Sequence, residues 1–397
     1  MVQSRARTCV SRGCRRELDA DSNSRRGFYT ADAYARERAA SAAPPRGELL
    51  FASCRSGERL AEGVLSAYRR LAGSEVGEYL PALDFSFQDK ETCARLDRDV
   101  HGADVYLFQS LHNPTREDPV DQNTMALLVA AHTLREWGAR HVTAVLPYLA
   151  YARQDKPTRF QREPTTARLV ADLLMTSGIE RVVTWHPHSA LARGFFRRDS
   201  LVALDPLGFF LERYREFDGH DDVVVVAPDA GAAALASYFA GALKVRHAMA
   251  LKRRPVPGEA QITEVLGDLR GARTVIILDD IIASGGTLHA LVRHISERWD
   301  VAEVLVGASH NLCLEAGYER LNDLHRNYRL REVLVTDSVP QTDEFRALPF
   351  LREESIAERL ARAVNAAHYE QPLAGLFSSD PLQGRGEQMQ TRQAASA

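Results

Sequence analysis

The chain has 397 residues, 45% of them hydrophobic and 26% charged, with a formal net charge of −3. That length allows two ordinary domains with real cores, and the charge balance argues against a nucleic-acid-binding body. No run of eighteen apolar residues is present, so no transmembrane helix is expected. Five scattered cysteines (Cys9, Cys14, Cys54, Cys93 and Cys313) suit a reducing cytosol better than a disulfide scaffold. Lysine is scarce: Lys90, Lys156, Lys244 and Lys252 stand against 46 arginines. A GC-rich genome accounts for the scarcity, yet each retained lysine is worth locating, because ammonium and guanidinium differ in chemistry.

Residues 1–46 read as a flexible Arg-rich extension without apolar periodicity, ending in Ala-Ala-Pro-Pro-Arg (Ala42–Arg46). Its first sixteen residues hold five Arg and no acid, which leaves organelle targeting open beside the expected cytoplasmic location. Strand and helix signals then alternate. Asp104–Gln109 predicts a strand, Val120–Trp137 a helix stopped by Gly138, and His141–Pro147 a strand. Pro164–Thr176 predicts a helix and Arg181–Thr184 a short strand. A second series follows: strand Asp222–Ala227, helix Ala230–Ala240 and strands Val245–Leu251 and Arg273–Leu278. After these come helix Thr287–Arg298, strands Glu303–Ala308 and Glu332–Thr336, and a closing helix, Glu354–Ala367. Apolar strands alternating with helices imply α/β architecture with parallel sheets covered on both faces. Two domains, 47–197 and 198–377, are expected, with a flexible tail at 378–397.

The most informative segment is Val275–Thr287. An apolar strand ends in Asp279 and Asp280, and Ser-Gly-Gly-Thr (Ser284, Gly285, Gly286, Thr287) opens a helix. Glycines there let backbone N–H groups approach an anion, and the helix N-terminus adds partial positive charge. Hydroxyls of Ser284 and Thr287 suit phosphate oxygens, and paired carboxylates at a strand's carboxyl end suit sugar hydroxyls or Mg²⁺.

Leu278–Thr287 resembles the ribose 5-phosphate signature of the ribose-phosphate diphosphokinases, or phosphoribosyl pyrophosphate synthetases, over about residues 48–377. The resemblance implies two tandem type I phosphoribosyltransferase-like domains, each a mainly parallel sheet flanked by helices. It implies transfer of the diphosphate of MgATP to the C1 hydroxyl of D-ribose 5-phosphate, with AMP as coproduct. Pro147–Lys156 matches the family's nucleotide loop through Arg153, Gln154 and Asp155, with Arg suited to polyphosphate and Gln to a base edge. His188, followed by Gly194-Phe-Phe, and Asp229, in Pro-Asp-Ala-Gly (Pro228–Gly231), match the residues associated with Mg²⁺. His186 stands where the family usually has Asp. Lys252 and Arg254 resemble the mobile catalytic loop, here after Leu251 rather than an acid, and a cationic pair would stabilise a phosphoryl transition state. Phe87, Asp89 and Glu91 match an element that reaches a neighbouring subunit's nucleotide site, with Lys90 in place of Gly. That element implies a homo-oligomer, dimer-based and extending in the family to a hexamer. Two other readings share parts of the pattern: a type I phosphoribosyltransferase, and a non-catalytic paralogue regulating an active synthetase. The ordered nucleotide motif argues against the first and the intact Lys252–Arg254 against the second.

Overall fold

The structure, a computed structural model, describes residues 30–39, 46–158, 160–197, 200–256 and 259–372, with the side chains of 34, 37–39 and 253–261 outside the description. Most of the expected N-terminal extension, including Cys9 and Cys14, and the expected tail at 378–397 lie outside the described residues. Within that extension Ala31–Ala39 forms a helix, α1, where no periodicity had pointed to one.

The first half opens with β1 (Leu49–Ser53), α2 (Glu58–Ala72) and β2 (Glu78–Leu80). Next come the short strands β3 (Asp84–Ser86) and β4 (Thr92–Ala94), then β5 (Asp104–Phe108), α3 (Val120–Glu136) and β6 (His141–Val145). It closes with α4 (Thr166–Thr176), β7 (Arg181–Trp185) and β8 (Leu201–Leu204). Six strands form a parallel sheet in the order β2-β1-β5-β6-β7-β8, while β3 and β4 make a separate antiparallel hairpin. No element is expected from the sequence between 47 and 103. There α2 carries a clear helical stripe, burying Ala61, Val64, Leu65, Tyr68 and Leu71, and ends at Gly73 in the left-handed region. β8 falls after residue 197, where the first domain was expected to end.

The second half contains α5 (Leu207–Arg213), β9 (Val223–Ala227), α6 (Ala233–Leu243), β10 (Arg246–Val256) and β11 (Glu259–Leu266). It continues with β12 (Thr274–Ile282), α7 (Gly286–Arg298), β13 (Glu303–Asn311) and α8 (Glu315–Asn327). β14 (Leu330–Thr336), α9 (Asp343–Arg346), β15 (Leu351–Glu354) and α10 (Ala357–His368) complete it. Its seven strands run β11-β10-β9-β12-β13-β14-β15, parallel except for the β10–β11 hairpin. All five residues of β9, four valines and an alanine, are buried, as a strand covered on both faces requires.

The halves share apolar packing. Trp185, at the end of β7, meets the edge of Phe209 in α5, with ring centroids 5.9 Å apart. Helix α10 returns to the first half, where Asn365 Nδ2 donates to the Tyr68 hydroxyl at 3.1 Å. Beside it, the wholly buried Asp104 accepts from Arg46 Nε at 3.1 Å and bonds His368 Nδ1 at 2.8 Å. Asp104→Ala would leave Arg46 and His368 without their buried partner. Unfolding in urea should show a loss of about 3–5 kcal/mol; a change below about 1 kcal/mol, as for an exposed pair, would contradict this. Among the described residues no helix is long and apolar enough to cross a membrane.

Candidate active site

Both sheets direct the carboxyl ends of their strands toward one cleft of about 280 Å³. Arg153 and His188 enter it from the first half, and Asp229, Lys252, Asp279, Asp280 and residues 281–288 from the second. The expected strand Arg273–Leu278 is longer than the sequence suggests. β12 runs on to Ile282 because β13 continues beside it, pairing Ile281 with His310 and Ile282 with Asn311.

Gly285 caps α7 with φ +71°, and its carbonyl accepts from His289 N at 2.8 Å. Behind this loop Arg320 Nη1 donates to the Ser284 carbonyl at 2.5 Å. That bond engages the carbonyl and places a cation near the N-terminus of α7, where the helix dipole favours negative charge. Gly317 permits the approach, since a Cβ there would lie 2.8 Å from the Ala283 carbonyl oxygen. Arg320 and Gly317 escaped the sequence reading because α8 is remote in sequence from the loop it supports.

The two neighbouring acids titrate apart. Burial, reinforced by the charge of Asp280, pushes the Asp279 carboxyl well above its ordinary 3.8. Burial acts in the same direction on Asp280, but the His188 imidazole bonded to its Oδ2 outweighs it and holds Asp280 well below 3.8. The same bond raises His188 above 6.5 against partial desolvation. In metal-free protein, nuclear magnetic resonance should find His188 titrating above 6.5, and Asp280→Asn should bring that midpoint down to or below 6.5. An unchanged midpoint would rule out Asp280 as the cause. Raising pH through the elevated midpoint removes the imidazolium, so the charge attraction is present at lower pH and lost as pH rises.

Asp229 also has a cationic partner. Its Oδ1 accepts from Gly231 N at 2.8 Å, and its Oδ2 pairs with Lys252 Nζ. Burial opposes ionisation there, but Lys252 and the loop amides win, and the carboxyl lies below 3.8. The bond to Gly231 occupies the first residues expected in the helix Ala230–Ala240, so α6 begins at Ala233. Lys252 and Arg254 were expected in a loop after strand Val245–Leu251. They lie instead within β10, which continues past a register shift at Leu251/Lys252 and pairs with β11. The Arg254 side chain lies outside the described residues.

Gln154 and Asp155 follow Arg153 on the β6–α4 connection, and the charge of Asp155 contributes to the raised His188 value. Phe87, Asp89 and Glu91 do not line the cleft. They sit at the exposed tip of the β3–β4 hairpin, where Lys90 takes the left-handed turn position at φ +76°. Phe87 is half exposed. Among the described residues no group of three His, Cys, Asp or Glu is placed to hold a metal ion unaided.

A buried polar network behind the cleft was not anticipated. His186 takes φ +40° and its Nδ1 lies 2.6 Å from Ser309 Oγ, while burial pushes its pKa down to about 3. Ser309, His310 and Asn311 are polar, buried and located at the end of an apolar strand. That pattern in Glu303–Asn311 was the available signal.

Both halves of the chain match known proteins. The N-terminal domain of ribose phosphate pyrophosphokinase matches residues 50–178, and the phosphoribosyl transferase domain matches 207–308. A ribose-phosphate pyrophosphokinase of Marinomonas sp. is 36% identical over 296 residues, spanning 74% of this chain and 89% of that protein. That of Bacillus subtilis is 33% identical over 294 residues, spanning 74% and 87%. The crystal structure of phosphoribosylpyrophosphate synthetase from Mycobacterium smegmatis superposes with a TM-score of 0.70 at 30% identity, covering 81% of this chain and 99% of that one. With both halves matched and the relatives covered nearly end to end, the chain belongs to the ribose-phosphate pyrophosphokinase family of enzymes.

Proposed function

We propose that the protein transfers the diphosphate of MgATP to the C1 hydroxyl of D-ribose 5-phosphate, giving 5-phospho-α-D-ribose 1-diphosphate and AMP. The observation that carries this reading is the convergence of Arg153, His188, Asp229, Lys252 and Asp280 with the Ser284–Thr287 loop on one cleft. The 5-phosphate would lie on Ser284, Gly285, Gly286 and Thr287. Asp280, held ionised, would accept from a ribose hydroxyl, and Asp279, favouring its protonated form, would donate to one. Arg153, Gln154 and Asp155 would hold the nucleotide, with Phe87, Asp89 and Glu91 supplied by a second copy in a homo-oligomer that is at least a dimer.

The donor set suits Mg²⁺. Asp229 offers a carboxylate that already attracts a cation, His188 adds a nitrogen, and the ion ordinarily takes most remaining positions from water and substrate phosphates. When bound, it would neutralise phosphate charge. The protein's own part is positioning and charge stabilisation, since in-line phosphoryl transfer needs little covalent help. Lys252 would release Asp229 and, with Arg254, bind the charge developing on the transferred group. The test is AMP release by the purified full chain with MgATP, with and without ribose 5-phosphate. Strict dependence on the sugar phosphate is expected. No AMP with both substrates would defeat the reading.

A further inference from the structure

We infer that His186 is a positioning residue that clamps the two halves of the cleft, through Ser309 and His310, so that the turn after β7 holds His188 against Asp280. The inference rests on the reaction proposed above. His186 is tethered at three points. Its N–H donates to the Leu204 carbonyl of β8 at 2.9 Å, within the first half. Its Nδ1 meets Ser309 Oγ at 2.6 Å, and its carbonyl accepts from His310 Nε2 at 3.1 Å, both on β13 of the second half.

The far side is anchored in turn. Burial pushes His310 down to about 4, so the ring carries one proton. That proton is on Nε2, because Nε2 donates to the His186 carbonyl, and Nδ1 must therefore accept from Ser338 Oγ at 2.8 Å. The single Ser338 proton being committed, Thr336 Oγ1 supplies the hydrogen to the Ser309 carbonyl at 2.6 Å. Ser309, Thr336 and Ser338 are buried, so breaking this chain would strand polar groups away from water.

Strand register links the clamp to chemistry. β12 pairs Asp279 with Ala308 and Ile281 with His310, which sets Asp280 level with Ser309 on the adjacent strand. His186 therefore grips Ser309 while His188, two residues on, grips Asp280. Pro187 between them restricts the backbone that carries one contact to the other. The φ of +40° at His186 is unfavourable for a side-chain-bearing residue, though His, Asn and Asp tolerate it better than most, and the tethers hold it there.

The experiment is steady-state AMP release by full-length wild type, Ser309→Ala, His186→Ala, the double variant and His186→Asn, with thermal unfolding recorded for each. Both single alanine variants should lose about 10–100-fold in kcat, with both KM values within about threefold. The double variant should be no slower than the slower single, because both break one contact. His186→Asn, which keeps a polar atom near the Nδ1 position and tolerates the backbone, should stay within about fivefold of wild type even where alanine impairs folding. A Ser309→Ala kcat within about threefold of wild type, losses confined to KM, or single effects that multiply in the double variant would each overturn the clamp. Absence of AMP from wild type would instead remove the reaction itself.

Discussion

Lys252→Ala is expected to lower kcat by about 10³-fold while changing the ribose 5-phosphate dissociation constant by less than about threefold. Lys252 Nζ is the ammonium group lining the cleft, and it is held on Asp229 across from the Ser284–Thr287 loop. Its removal takes away positive charge where charge would develop on the transferred diphosphate, and leaves the Ser284–Thr287 loop intact. The fold should survive, because Asp229 keeps its bond from Gly231 N at 2.8 Å. Lys252→Arg should still lose about tenfold or more, since a planar guanidinium cannot take the position of a compact ammonium. Turnover of Lys252→Ala within tenfold of wild type, measured with saturating substrates and unchanged thermal unfolding, would remove Lys252 from the transition state.

Gly285→Val is expected to raise the KM for ribose 5-phosphate by about 10²-fold or more, with ATP binding measured calorimetrically unchanged. Space alone would permit the side chain: the nearest atoms to an added Cβ are Gly317 Cα at 3.7 Å and Arg320 Cβ at 3.8 Å. The obstacle is φ +71°, which a β-branched residue adopts only under strain. Relief of that strain would swing the 284–286 peptides and turn their N–H groups away from the phosphate. A KM within about threefold of wild type would show that the sugar phosphate is held elsewhere.

The legible parts of this molecule are those whose signal is contiguous in sequence. β5, β9 and β12 were readable because a strand buried on both faces carries a continuous apolar run. The turn from β12 into α7 was readable because strand, glycines and helix start are contiguous in Val275–Thr287. The hairpin bearing Lys252 was not, since Pro255 to Gly258 reads as a connection while the pairing that extends β10 comes from β11. Alternation in Glu259–Thr263 was the missed clue. Likewise the closing helix was expected from Glu354, but that residue ends β15, paired with Thr336, and α10 starts at Ala357. The sequence singles out these acids and bases but not their pairing: His188 with Asp280 and Asp229 with Lys252 join residues 92 and 23 positions apart. No local pattern encodes such a pairing. The His186–Ser309 contact spans 123 positions and is equally silent in the sequence.

Transfer of an intact diphosphate is the central claim, and the fate of the β-phosphorus tests it most directly. With ATP labelled at the β-phosphate and ribose 5-phosphate present, the label should move wholly into a sugar product carrying a 1-diphosphate, leaving AMP unlabelled. Label retained in the nucleotide as ADP, or released as free pyrophosphate with ribose 5-phosphate unchanged, would contradict the account.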